Sequence, residues 1–208
     1  MRTEEPLHPQ TRRHLVNNER LRSSAIREFA LHGLTGAKVS NIVANANLTQ
    51  PSFYRLWASK EAAYQEIIEQ TVRTWHTAAA LVFESKVAWT PENLLEQLEA
   101  STFKLFRALT FDLDLTALVI RHQSNDGEDR KIYLSIYEQG FRDLQKNGVI
   151  QESFSPEVLG QAYFALTERF FYARLFTGKA SPRETAHEVT LLMIRLLTDS
   201  PQSNAASS

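Results

Sequence analysis

The segment 49–55 places hydroxyl, amide and guanidinium side chains on one face of a short predicted helix. The outward face of that helix carries Thr49, Gln50, Ser52, Tyr54 and Arg55. Hydroxyl and guanidinium groups bind phosphate oxygens, and an amide side chain makes paired hydrogen bonds to the edge of adenine. The residue types therefore favour a DNA-contacting surface, while a solvated polar face on an ordinary helical protein remains the alternative.

Charge is distributed unevenly along the chain, whose 208 residues have a formal net charge of −1. Residues 1–60 carry nine Lys/Arg and four Asp/Glu, whereas the rest of the chain carries fourteen and twenty. A basic first quarter joined to an acidic remainder favours a polyanionic partner at one end of the molecule. Chance clustering of the charges is the alternative at this point.

The chain offers little else that performs chemistry. Its six histidines lie on different predicted elements, and we find no glycine-rich phosphate loop, activated nucleophile or metal-ligand spacing. We therefore expect no enzymatic activity, no metal and no cofactor. The absence of cysteine excludes disulfides and fits a cytoplasmic protein. Apolar runs are far shorter than the roughly 20 residues that cross a bilayer, and the acids and prolines of the first ten residues do not form a secretory signal.

Nearly every segment has the apolar periodicity of a helix, and no alternating strand pattern persists. Capping residues, prolines and glycines mark the helix ends. The predicted fold is all-α, with about nine helices and a disordered tail at 200–208. The helices are predicted at about 11–32, 39–46, 49–56, 59–85, 90–109, 113–123, 128–146, 155–177 and 181–198.

The segment 39–56 has the dimensions of a helix-turn-helix, with two short helices joined by a turn at Asn47. Helices this short are marginal alone, so their apolar faces must be covered by the flanking long helices. The side chains that supply this shared core are Val39, Ile42, Val43, Ala46, Leu48, Phe53 and Trp57. The pattern predicts a small N-terminal domain built around these two helices.

Four stretches spread over about forty residues resemble the signature of the TetR family. They are AIREFALHG at 25–33, VSNIV at 39–43, ANLTQPSFY at 46–54 and WASKE at 57–61. The resemblance implies a three-helix DNA-binding domain at 12–65, with the helix-turn-helix at 38–57. It also implies a C-terminal helical bundle at 66–199 that senses a ligand and dimerises.

The resemblance assigns Thr49, Gln50, Ser52 and Tyr54 to the recognition helix and makes Lys60 a phosphate contact at a helix N-terminus. Lys38 stands where the family has Thr or Ser, so a hydroxyl cap is missing and Lys38 is available to phosphate. Asn47 replaces a common turn glycine, and Leu56 replaces a frequent His or Tyr, with Arg55 as a substitute phosphate contact. The residues expected at DNA are Lys38, Ser40, Thr49, Gln50, Pro51, Ser52, Tyr54, Arg55 and Lys60.

Two arginines, Arg12 and Arg13, precede the first apolar repeat. They form either a DNA-contacting arm or the solvated start of the first helix, and we favour the solvated start.

Aromatic side chains are abundant after residue 66 and line either an apolar ligand pocket or the core. Arg121 and Glu168 are charged residues that interrupt apolar stretches. Glu168 either pairs with Arg121 or Arg169 as a structural contact, which we favour, or orients a ligand. The candidate ligand-binding residues are Trp75, Phe106, Arg121, Tyr137, Phe141, Phe164, Glu168 and Phe171.

The last two helices, about 156–177 and 183–198, are apolar on more than one face, which predicts a partner. The resemblance implies that they pair with a second copy of the chain. Two recognition helices about 34–36 Å apart would then require a near-palindromic operator.

The sequence thus predicts a ligand-responsive transcriptional regulator, most simply a dimeric repressor released from double-stranded DNA by a small, mostly apolar effector. The alternative is a helix-turn-helix protein that acts mainly as a protein-interaction adaptor.

Overall fold

The computed structural model describes residues 9–123 and 128–198, which contain nine α-helices and one π-helical turn. No strand occurs in this part of the chain, so the all-α prediction is confirmed. No helix within it has the length and apolarity that a bilayer-spanning segment requires. The predicted disordered tail lies outside the described residues. The helices are α1 (Pro9–Gly36), α2 (Val39–Asn45), α3 (Gln50–Leu56), α4 (Lys60–Ala80), α5 (Leu94–Thr110), α6 (Leu113–Gln123), α7 (Glu128–Lys146), α8 (Pro156–Phe170) and α9 (Pro182–Thr198), and the π-helical turn, Phe171–Leu175, follows α8.

Several helix ends differ from the sequence prediction. α1 is interrupted at the expected glycine, Gly33, whose φ of 65° is left-handed, but a further turn follows it. α4 ends at Ala80, where the backbone N–H of Val82 donates to the carbonyl of Ala79 at 3.1 Å and the helical i→i+4 pattern stops. The predicted extension of α4 to about Ser85 is therefore wrong.

The start of α5 at Leu94 is also later than predicted. Thr90 and Asn93 close a turn in which the Asn93 side chain accepts the N–H of Thr90 at 2.9 Å. The backbone N–H of Asn93 donates to the carbonyl of Thr90 at 3.2 Å. These local bonds compete with helix formation over residues 90–93, so the helix begins after them.

The described residues form two compact units. The first contains residues 9–72 and 114–123, and the second contains residues 73–113 and 128–198. α6 therefore belongs with the N-terminal helices, although it follows α5 in the chain. The functional division at residues 65 and 66 stays a prediction.

The core of the first unit is the one that the apolar pattern predicts. Leu21 and Phe29 of α1, Ile42 of α2, Phe53 of α3 and Trp57 are each at most 3% exposed. Burying a side chain of this size stabilises the fold by about 1.5–3 kcal/mol. The two short helices thus depend on α1 for their stability.

The core of the second unit includes a cluster of aromatic rings from three segments. The rings of Tyr137 and Tyr163 meet edge to face with centroids 4.9 Å apart, and Phe83 packs against Phe141 at 5.0 Å. The hydroxyl of Tyr163 lies 2.8 Å from the hydroxyl of Thr102. The cluster therefore joins α5, α7 and α8 through both packing and a buried hydrogen bond.

Candidate nucleic-acid interface

The turn between α2 and α3 is made by a residue in the left-handed conformation. Asn47 has a φ of 52°, a region that asparagine enters more readily than most residues. The next backbone N–H, that of Leu48, donates to the carbonyl of Val43 at 2.8 Å, which closes the end of α2. Asn47 therefore performs the role that glycine commonly has at this position.

The N-terminus of α2 is capped by a buried carboxylate on α1. Lys38 makes no side-chain cap. Instead, Glu28 Oε1 accepts the backbone N–H of Lys38 at 3.0 Å and the amide of Asn41 at 2.9 Å. Glu28 is only 4% exposed, and its negative charge lies where the helix dipole favours it.

Sequence analysis did not identify this cap. The sequence did contain one indication of it. Glu28 follows Leu21 and Ala25 at helical spacing, so it falls on the buried face of the first helix. An acidic residue at such a position requires a buried partner.

A second polar contact fixes the end of α3. The indole of Trp57 donates to Glu66 Oε2 at 2.8 Å, and Arg22 donates to Glu66 Oε1 at 2.8 Å. Arg22 also donates to Gln70. The carboxylate of Glu66 on α4 therefore holds the residue after α3 and the middle of α1 together.

Most of the predicted DNA-contacting residues lie at the surface of the first unit. Ser52 and Lys60 are half-buried, whereas the rest are exposed: Lys38, Ser40, Thr49, Gln50, Pro51, Tyr54 and Arg55. The ring of Tyr54 contacts the buried ring of Phe53 edge to face at 5.4 Å. Tyr54 nevertheless remains 54% exposed, so its phenol is available to a partner.

The side chains of four of these residues already have hydrogen-bond partners within the chain. Arg55 Nη2 donates to Ser52 Oγ at 3.0 Å, and that hydroxyl lies 3.3 Å from Thr49 Oγ1. An arginine has five N–H donors, so the bond to Ser52 leaves others for a ligand. The ammonium of Lys60 donates to the carbonyls of Ala37 at 3.1 Å and Thr35 at 3.4 Å, and its phosphate contact stays a prediction.

Sequence comparison identifies this unit. The family model for bacterial regulatory proteins of the tetR family matches residues 21–67, which include all of α2 and α3. The uncharacterized HTH-type transcriptional regulator YdgC of Bacillus subtilis (strain 168) is 27% identical over 181 residues, covering 86% of this chain and 91% of YdgC. Over residues 21–67 the chain is therefore similar to the DNA-binding part of TetR-family regulators. Together these matches show a DNA-binding transcriptional regulator with a helix-turn-helix.

Two solved structures of other proteins have the same fold along most of the chain. The SmeT–triclosan complex superposes with a TM-score of 0.67 at 14% identity, covering 92% of this chain and 98% of SmeT. PfmR of Thermus thermophilus gives a TM-score of 0.65 at 16% identity, covering 85% of this chain and 97% of PfmR. At these identities the likeness shows the fold alone, including the helical C-terminal part.

The predicted effector-binding residues do not all lie in one unit of this regulator. Trp75, Phe106, Tyr137, Phe141 and Phe171 are buried in the second unit, and Phe164 is half-buried there. Glu168 is exposed, so it needs no buried partner. Arg121 belongs to the first unit, where it donates to the carbonyl of Ala30 at 2.8 Å. Across the described ranges, no three His, Asp or Glu side chains are grouped to bind a metal.

The second unit of the regulator also contains two buried polar atoms that sequence analysis missed. Tyr133 OH and His76 Nε2 have no hydrogen-bond partner among the described residues. Their rings meet at 4.8 Å, and Asp129 Oδ1 lies 3.4 Å from His76 Nε2. Burial, together with the charge of Asp129, raises the pKa of Tyr133, and burial lowers the pKa of His76. Tyr133 thus keeps its proton and is a hydrogen-bond donor.

Proposed function

We propose that the chain is a dimeric repressor that is released from a near-palindromic operator by a small, mostly apolar effector. The observation that carries the proposal is the exposed polar face of α3, held in place by Glu28 through α2 and by Glu66 through Trp57. A rigidly placed helix can present an amide to base edges in the major groove. As a regulator of chromosomal DNA, the protein is expected to act in the cytoplasm.

Dimerisation is supported by the apolar surface of α8, the π-helical turn and α9. Large apolar side chains on these elements are 38–50% exposed: Val158, Tyr172, Phe176, Leu191 and Leu192. An exposed apolar surface of this kind favours association with another protein surface. A second copy pairs the same face with itself and supplies the two recognition helices that a palindrome requires.

Gln50→Ala tests base reading by α3. An operator is first selected from a library of random duplexes, and affinities are then measured by fluorescence anisotropy. We expect the variant to lose about 1–3 kcal/mol of binding free energy on the selected duplex, roughly 5- to 150-fold, because the adenine contact is lost. Binding to a random-sequence duplex should not change. The titration of the selected duplex should saturate at two chains per duplex.

Gln65→Ala, on the exposed surface of α4, is the matched control and should bind both duplexes like the wild type. Equal losses on both duplexes would assign Gln50 to the phosphate backbone. Failure to select any operator would favour the adaptor function instead.

A small effector is supported by the buried aromatic side chains of the second unit and by the hydroxyl of Tyr133. A buried hydroxyl without a partner costs about 1–3 kcal/mol, which a ligand with an acceptor atom would recover. SmeT, which shares the fold, was solved as a complex with triclosan. We carry over only the class of ligand, a small and mostly apolar molecule with a polar group.

Tyr133→Phe tests whether the hydroxyl lacks a partner in the free protein. We expect the free energy of unfolding in urea to stay unchanged or rise by about 1 kcal/mol, because an unsatisfied polar group is removed. Tyr163→Phe is the matched control. Its hydroxyl is bonded to Thr102, so that variant should lose about 1 kcal/mol. Equal destabilisation of the two variants would show that Tyr133 is already bonded and would remove it from the effector site.

A further inference from the structure

A groove in the first unit runs between the N-terminal part of α1 and the C-terminal part of α3. Its polar lining consists of His14, Asn17 and Asn18 from α1, with Ser52 and Arg55 from the recognition helix. The two asparagines and Ser52 are half-buried, whereas His14 and Arg55 are exposed. The groove is therefore open to solvent and continuous with the surface that reads DNA.

The lining has the chemistry of an anion site. Every polar side chain in it can donate a hydrogen bond, Arg55 adds a permanent positive charge, and no carboxylate takes part. Arg13 precedes Asn17 by one helical turn, so it adds a second charge beside the groove. Phosphodiester oxygens accept hydrogen bonds and are negatively charged, so they match both the hydrogen-bond donors and the positive charge of this lining.

A second groove on the same helix has a different composition. It lies between α1 and the C-terminal end of α2, and its charged lining mixes Glu19 with Arg20 and Arg27. A carboxylate beside the arginines offsets their attraction for an anion. The two grooves therefore provide an internal comparison on one helix.

We propose that the groove between α1 and α3 binds a backbone phosphate of DNA next to the bases that α3 reads. The proposal rests on the DNA binding described above. It extends the contact surface to His14, Asn17 and Asn18, which precede the segment matched by the family model. It also revises our interpretation of the start of α1 as merely solvated, because Arg13 lies beside the bound phosphate.

Asn17→Asp tests the proposal against Ser23→Asp, which adds the same charge to the exposed surface of α1 at the comparison groove. The probes are the selected operator and a random-sequence 30-base-pair duplex at about 0.15 M salt, where distant surface charges are largely screened. Asn17→Asp should weaken binding to both duplexes by a similar factor, about tenfold, because phosphate contacts are independent of sequence. Ser23→Asp should change either affinity by less than about twofold.

Asn17→Arg provides an outcome that loss of folding cannot imitate. An added cation in the groove should tighten binding to the random duplex and steepen the dependence of log K on log salt by about 0.9, one more neutralised phosphate. Ser23→Arg should steepen this salt dependence less than Asn17→Arg does. If the wild type binds both duplexes but the position-17 variants behave like the position-23 variants, the groove proposal is overturned while DNA binding stands. If the wild type binds neither duplex, the regulator function itself fails.

Discussion

Glu28→Ala should lower the free energy of unfolding by about 2–4 kcal/mol and abolish operator binding. The substitution removes two hydrogen bonds to a charged acceptor, which would contribute about 3–6 kcal/mol if fully buried, and less here because Lys38 and Asn41 are exposed and water partly replaces the lost bonds. It also removes a negative charge from the N-terminus of α2. Since α2 and α3 are too short to hold their places alone, the recognition surface loses its support. Urea unfolding and anisotropy with the selected operator measure the two effects.

Two variants separate the cap from a general effect of charge. Glu28→Gln keeps an acceptor oxygen without the charge and should lose only about 1 kcal/mol. Glu19→Ala removes an exposed carboxylate from the same helix and should stay within about 0.5 kcal/mol of the wild type. A stable Glu28→Ala protein with full operator affinity would show that the buried carboxylate does not position the recognition helix.

Gly140→Ala should destabilise the second unit by about 1–3 kcal/mol, the usual cost of overpacking a core. A Cβ at this position would lie 2.2–2.6 Å from three ring atoms of Phe83. That ring is packed against Tyr137, Phe141 and Tyr163, so it cannot turn away without disturbing the aromatic cluster. In an open helix the same substitution would instead stabilise by up to about 1 kcal/mol.

The double variant Phe83→Leu with Gly140→Ala identifies the cause. Leucine leaves room for the new methyl group, so the alanine should cost much less in the Phe83→Leu background than in the wild type. Calorimetry or urea unfolding of the single and double variants gives the coupling free energy between the two substitutions. Additive costs would assign the destabilisation to something other than the Phe83 ring.

The elements that sequence predicted best are those with local signals. α6 and α7 begin and end at the predicted residues, because their apolar periodicity and end signals lie within the segments themselves. The exposed face of α3 followed from the same kind of reasoning, since burial of Phe53 and Trp57 fixes which side chains point outward. The start of α5 was missed because the Thr90–Asn93 turn competes with an otherwise valid helix signal.

The features that sequence could not predict join residues far apart in the chain. The cap that Glu28 provides for α2 depends on how α1 packs against that helix. The pairing of His76 with Tyr133 and the groove between α1 and α3 likewise form only when separate helices meet. Residue types made each of these contacts feasible, but only tertiary packing chooses the partners.

The bonds that Glu66 accepts from Trp57 and Arg22 tie the end of α3 to both long helices beside it. If α3 reads base edges as proposed, tilting it toward an unsuitable base would break these bonds. A wrong base pair would then leave a donor or acceptor unfilled at a cost that local adjustment does not recover. Fidelity in such a regulator would come from how firmly the helix is held as well as from the identity of the contacting side chains.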